Sequence, residues 1–383
     1  MVQPTSCAPS RQFLPERPEA HDLSDKPWVV IWELTQACDL ACLHCRANAR
    51  AGRHRDELTT RESKRLLDDI AATQPRVLVL TGGDPLKRAD LMELVRHAVE
   101  LGLQPALTPS ATPLLTKAVI GELAEAGVAR FAISLDGATA ATHDRFRGVT
   151  GSFDLTMEGA REVIRLGLPL QINTTATRLN REELPRIARL LEELGIAMWS
   201  VFFTVPTGRA QRSTMLDADE TEAVFDLLFE VGSLGKFLVR TTEALHYRRY
   251  LLQRKSEVGP TAPALRWASR NVPRGISDGT GFMFISHTGE VFPSGFLPLS
   301  AGNVRHEKLL DIYHHSALFT TLHDRTRLKG KCGVCEFRNV CGGSRARAYA
   351  CTGDWLESDP VCNYEPAQWA RVAGAAPEVT IRA

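Results

Sequence analysis

Cys38-Asp39-Leu40-Ala41-Cys42-Leu43-His44-Cys45 sits behind the apolar run Val29-Val30-Ile31-Trp32, and the spacing of its cysteines decides the reading of the chain. Three thiolates this close hold three corners of an iron–sulfur cube and leave the fourth iron without a protein ligand. An open coordination position signals chemistry on a bound small molecule, not a structural staple. Zinc on the same cysteines is the competing reading. It needs a fourth protein ligand, and His44, the candidate in the run, lies between two of the cysteines.

Composition suits an enzyme of ordinary size. With 383 residues, 44% of them hydrophobic, and a net charge of +1, the chain can bury a large core and shows no charge bias toward nucleic acid. No apolar run approaches a membrane span. Residues 1–27 carry Pro4, Pro9, Pro15, Pro18 and Pro27 without the apolar stretch of a signal peptide, which predicts a flexible lead-in. Eight of the nine cysteines fall in two tight clusters. That distribution fits metal binding in a reducing, cytoplasmic setting, with Cys7 a free outlier.

Strand-like apolar runs at 29–34, 77–80, 104–108, 130–135, 170–175 and 199–205 alternate with helix-period segments at 61–73, 91–101, 114–126, 155–166 and 184–194. Six β/α units in series predict a parallel sheet. If the sheet curls toward a barrel, chemistry collects at the C-terminal ends of its strands, where the cysteine run lies. Gly82-Gly83-Asp84-Pro85 closes the second run; its glycines let backbone approach a ligand and adopt positive φ. Taken alone it also reads as a strand-to-helix turn.

CxxxCxxC followed by these units resembles the radical S-adenosylmethionine (SAM) superfamily over nearly the whole chain. The resemblance implies an α/β fold, a partial (β/α)6 TIM barrel. It also implies a 4Fe–4S cluster on Cys38, Cys42 and Cys45 whose open iron chelates SAM and, when reduced, cleaves it to a 5′-deoxyadenosyl radical. His44 takes the place of an aromatic contact beside the adenine; a partly exposed loop histidine is the plain alternative. Gly82, Gly83, Asp84 and Pro85 match the Gly-Gly-Glu-Pro motif that holds the methionine amino group, with aspartate one methylene shorter. Ser134 and Arg147 would meet the SAM carboxylate, with Asp136 close by. Ser110, in Thr108-Pro109-Ser110-Ala111-Thr112, stands where relatives have an asparagine near the ribose. Asn173 is either a ribose or carboxylate contact or a satisfied strand asparagine. Thr207-Gly208-Arg209 closes the site over SAM, binds an anionic substrate, or is a solvated loop.

Beyond residue 235 the β/α beat stops. Residues 236–277 read as a basic connecting segment carrying Arg248, Arg249, Arg254, Lys255, Arg266 and Arg270, either a solvated helix or a rim over an acidic substrate. Alternation around His287-Thr288-Gly289-Glu290 predicts a hairpin. Cys332, Cys335 and Cys341 follow, then Cys351 and Cys362. This pattern resembles a SPASM or Twitch extension, placed at 278–370 with 371–383 as a tail. The resemblance implies an auxiliary 4Fe–4S cluster on Cys332, Cys335, Cys341 and Cys362, with Cys351 a substitute for the last ligand. Structural zinc on the same thiols is the alternative. No cysteine lies between Cys45 and Cys332, and Ser294 and Arg345 stand where two-cluster members carry cysteines, so two clusters are expected in all. A cluster with four thiolates carries electrons, as an oxidation requires.

The tail Cys341-Gly342-Gly343-Ser344-Arg345-Ala346-Arg347 resembles the branch that makes haem and modified haems, which acts on tetrapyrrole propionates, and Arg345 and Arg347 are candidates to pair with such carboxylates. The alternatives are a peptide maturase and a non-catalytic iron–sulfur carrier or sensor. Residues 1–27 are too few for the winged helix usual in the first, and the SAM motifs speak against the second. The expected partners are a tetrapyrrole-like or peptide substrate and a flavodoxin or ferredoxin donor, with neither nucleic acid nor membrane.

Overall fold

The computed structural model describes residues 23–258 and 275–373. Cys7, Arg266 and Arg270 lie outside these residues. Seven parallel strands form the body of the sheet: β1 Val29–Glu33, β2 Val77–Thr81, β3 Pro105–Leu107, β4 Arg130–Ser134, β5 Leu170–Ala176, β6 Met198–Phe203 and β7 Leu238–Thr242. β7, on the far side of α7 (Ala218–Ser233), continues the β/α order past residue 235 and pairs parallel with β6. β8 (Phe282–Ile285) pairs parallel with β1, so the predicted hairpin with β9 (Glu290–Phe292) joins the same sheet. With β10 (Gly302–Asn303) the order is β10-β9-β8-β1-β2-β3-β4-β5-β6-β7. β10 and β7 are its edges, so the barrel is open.

Alternation sorts the faces. On β5, Leu170, Ile172, Thr174 and Ala176 are buried against helices, while Gln171, Asn173 and Thr175 take the other, interior face and keep some accessible surface. Helices α1 (Thr60–Thr73), α2 (Leu91–Glu100), α3 (Lys117–Glu125), α4 (Ala140–Arg147), α5 (Ser152–Arg165) and α6 (Leu184–Leu194) cover the outer side. The core between the layers includes Trp32, Leu67, Ile70, Phe131, Trp199 and Phe225, all fully buried. Each such side chain contributes about 1.5–3 kcal/mol relative to exposure. α1 starts at a capping box, Thr59 with Glu62, as its Thr-x-x-Glu pattern dictates. α4 has no counterpart among the predicted helices because its eight residues bury only His143 and Phe146, too few for a visible period.

The described end of the lead-in is tied down: the Leu23 carbonyl accepts from the Gly281 N–H (3.0 Å) and the Tyr313 hydroxyl (2.5 Å). The basic segment is not a solvated helix. Along α8 (Tyr247–Val258), Arg249 pairs with Glu222, Arg254 with Asp226, and Arg248 donates to the Val340 carbonyl (3.1 Å). Among the described residues no helix is long and apolar enough to cross a membrane.

Candidate active site and thiol centres

The strands β1 to β6 each deliver their C-terminal end to one cavity of about 200 Å³. Cys38, Cys42 and Cys45 line it beside Gly82 and Gly83 after β2, Ser110 after β3, Ser134 on β4, Thr175 on β5 and Phe202 on β6. The cysteine loop is held by backbone. Gly83 N–H donates to Thr35 O (2.7 Å) and Asp84 N–H to Ala37 O (2.6 Å). A Cβ on Gly83 would lie 2.5 Å from the Ala37 carbonyl oxygen, so glycine serves close approach here. Positive φ, expected for this pair, is not used by either glycine.

Each thiol of the triplet receives a donor. Leu40 N–H points to Cys38 Sγ (3.4 Å), Ala49 N–H to Cys45 Sγ (3.4 Å) and Arg147 Nη1 to Cys42 Sγ (3.6 Å). Such donors favour thiolate, the form that binds iron. Burial works against them, pushing the Cys38 thiol up, so a cationic partner is needed for full ionisation. The residues therefore fit a 4Fe–4S group at the triplet.

Arg147 ends α4 and pairs with Asp136 (2.5 Å), which is fully buried and also accepts the Thr175 N–H (2.7 Å). Burial, the largest influence, raises the cost of ionising Asp136, but Arg147, the neighbouring imidazoles of His44 and His143 and the Thr175 N–H together outweigh it and hold the carboxyl below the usual range. Nε2 of His44 lies 3.6 Å from Asp136, its ring packs on Phe146, and burial pushes it down to about 4, so it is neutral. Asp84 is fully buried and does not line the cavity. Its carboxylate takes Thr112 Oγ1 (2.9 Å) and the N–H groups of Leu86 and Ser110, which makes it the organiser of the turn at Pro85. Ser110 Oγ donates to Gly83 O (2.8 Å) and sits 3.5 Å from Cys38 Sγ. Asn173 is set back from the cavity wall, accepting Gln171 Nε2 (2.7 Å).

Arg209 is not a solvated loop residue. Its N–H donates to Cys45 O (2.9 Å), its Nε to Cys42 O (2.9 Å) and its Nη1 to Ala49 O (3.3 Å), while the buried Nη2 has no partner among the described residues. Sequence reasoning missed the cavity-lining His143, Thr156 and Phe296. His143, neutral because burial pushes it down to about 4, accepts the Asp136 N–H (3.2 Å). Its position before Phe146 and Arg147, on a helix-period step, was the available signal.

A second, tighter cavity of about 30 Å³ is lined by Cys332, Cys335, Cys341 and Cys362, with His246, Arg249 and Asp359 around them. Cys351, on α9 (Arg345–Thr352), is not among its lining residues. The described cysteines are all free. Among the described residues no three His, Cys, Asp or Glu side chains converge on a single-ion position; both groups of thiols ring a space instead. Gly343, at φ +65°, turns the chain so that its N–H donates to Cys341 Sγ (3.3 Å). Burial pushes Cys341 up to about 12 and Cys362 up to about 11. These thiols too fit a cationic cluster that pulls their protons away.

Arg345 and Arg347, expected to meet substrate carboxylates, are buried and committed. Arg345 donates to the carbonyls of Trp355 (2.9 Å) and Glu357 (2.6 Å) and lies 3.6 Å from Cys332 Sγ. Arg347 grips Asp359 through Nε (2.9 Å) and Nη2 (2.8 Å) and reaches the Thr204 carbonyl (3.4 Å) on the first cavity's wall. Ser294 Oγ donates to Glu243 (3.1 Å), which occupies the hydroxyl.

Residues 32–191 match the Radical SAM superfamily. Together with the relatives that follow, this places the chain in that superfamily, as a radical SAM enzyme. It is 40% identical over 344 residues to the AdoMet-dependent heme synthase of Methanosarcina barkeri (strain Fusaro / DSM 804), covering 90% of this chain and 98% of that one. It is 30% identical over 348 residues to the PqqA peptide cyclase of Bradyrhizobium diazoefficiens, covering 89% of this chain and 87% of that one. Streptococcus suis SuiB, crystallised with S-adenosylmethionine, shares the fold at a TM-score of 0.71 and 18% identity, over 89% of this chain and 78% of that one.

Proposed function

We propose that this enzyme oxidises a propionate side chain of an iron tetrapyrrole in haem formation. The observation that carries the reading is the open triplet cavity, walled by six strand ends, in a chain that follows the named heme synthase along nine-tenths of its length. The triplet's 4Fe–4S group supplies the electron that cleaves SAM. Around it, Gly82, Gly83, Ser110, Ser134 and His44 offer the polar wall for SAM, Arg147 is positioned by Asp136, and Arg209 fastens the cysteine loop.

The quartet Cys332, Cys335, Cys341 and Cys362 takes a second 4Fe–4S cluster, with no position left for substrate. Its role is to accept the electron that a substrate radical must lose as carbon dioxide leaves and a vinyl group forms. Arg347 and Asp359 support this coupling, since they bridge the two cavities. Clustered free thiols suit a cytoplasmic setting, with a flavodoxin or ferredoxin as donor. The peptide-cyclase relative supports a peptide substrate as the second reading.

The test is anaerobic. Reconstituted protein, reduced and given SAM, is assayed for 5′-deoxyadenosine with an iron porphyrin bearing propionates and, separately, with candidate peptides. Carbon dioxide and vinyl product from the porphyrin are expected. Turnover of a peptide alone overturns the tetrapyrrole reading.

A further inference from the structure

Among the described residues, one cation inside the barrel, Arg240, has no counter-charge. On β7, Val239 is buried in the helix-side core, so Arg240 takes the opposite, interior face. The strand register aligns Ser134, Asn173, Ser200 and Arg240 as one rung across β4 to β7. Ser134, at the near end, lines the thiol cavity. The next rung toward the strand ends runs Thr175, Phe202 and Thr242, and its first two members also line the cavity. Arg240 thus belongs to the layer just beneath the strand ends; of its own rung Ser134 alone lines the cavity, and the other three lie behind the wall.

The other members of the rung have partners: Asn173 accepts from Gln171 (2.7 Å), and the Ser200 hydroxyl lies 3.4 Å from that of Thr242. The Arg240 guanidinium makes no hydrogen bond or ion pair with the described residues, and burial alone pushes it down to about 10, still cationic at neutral pH. Its charged neighbours add to the excess. Arg248, also pushed down to about 10, chiefly by burial, is further depressed by Arg325 and Arg240. Asp278, the acid near Arg248 and Arg325, already accepts the N–H groups of Arg345 (2.8 Å) and Ala346 (3.1 Å). A chain does not hold an uncompensated charge in its interior without cost, and a compensating anion from outside removes that cost.

We infer that Arg240 is the counter-ion of a substrate carboxylate, and that the Ser134, Asn173 and Ser200 rung is the polar floor beneath it. The inference rests on the tetrapyrrole reading and deepens it, naming the residue that selects a carboxylated ring. Guanidinium and carboxylate meet as a paired, charge-assisted fork, so esterifying the substrate removes the interaction.

The test uses cluster-loaded protein, Arg240→Met and Arg240→Lys, titrated with iron(III) coproporphyrin and with its methyl ester by the shift of the porphyrin absorption band. Wild type is expected to prefer the free acid. Arg240→Met should lose at least about tenfold in affinity for the acid, match wild type on the ester, and melt at a higher temperature without ligand, because an unpaired interior charge has gone. Arg240→Lys should recover part of the affinity. A lower melting temperature for Arg240→Met, or an undiminished preference for the acid, overturns the assignment alone. Wild type that binds neither form overturns the tetrapyrrole reading and the assignment with it.

Discussion

The two groups of thiols differ in what surrounds them. The triplet opens on about 200 Å³ of space edged by six strand ends, whereas the quartet encloses about 30 Å³ behind a buried Arg347–Asp359 pair. The first group has room for a small molecule beside its metal group and the second does not. The proposed division between chemistry and electron storage thus rests on cavity size, although both groups are made of cysteines.

The sharpest break of that contrast is at the ligands. Cys42→Ala should abolish 5′-deoxyadenosine formation and lower iron by about four per chain, while Cys362→Ala lowers iron equally but leaves SAM cleavage measurable. Cys351→Ala should retain the iron of both centres; loss of about four irons there would move the fourth ligand from Cys362 to Cys351. Next in size is Asp359→Asn. It strands a fully buried guanidinium, so a loss of about 3–5 kcal/mol by denaturant titration is expected.

Asp136→Asn is the matching change at the triplet and should cost less, because Arg147 keeps some accessible surface. Asp136 is held below its ordinary range, so its contribution is present above the unfolded value of about pH 3.9 and is lost as pH falls through the lower folded value. The variant should lack that part of the acid-side loss in a pH series of melting temperatures. The smallest effect belongs to Glu243→Gln. Burial, with Asp278 adding, pushes Glu243 up to about 8, so the native state holds a proton that the unfolded chain releases above about pH 4.3. Its contribution falls as pH rises toward 8. Glu243→Gln should flatten that decline and change little at pH 5.

Much of the triplet site was legible because its residues follow one another along strand ends. The cysteine run, Gly82-Gly83, Ser110 and Ser134 each sit at a β-to-α junction, and period and spacing locate those junctions. Asp84 was read as a ligand contact because its place in the motif carries no information on which way its carboxylate turns; the structure turns it onto Thr112 and Ser110. Arg345 and Arg347 misled for a similar reason. Charge in a tail suggests solvent or substrate, yet their partners are a carboxylate at Asp359 and carbonyls at Trp355 and Glu357, ten to twelve residues on.

The sequence alone determined the family, the parallel order of the strands and the two clusters into which eight of the cysteines fall, since all of these depend on local spacing and periodicity. Only the tertiary structure decided that β8 closes against β1, that Cys362 lines the second cavity and Cys351 does not, and that the Arg240 guanidinium faces the interior without a partner among the described residues. Those outcomes depend on contacts between segments far apart in the chain, where burial and charge compensation choose among arrangements that local pattern leaves equal.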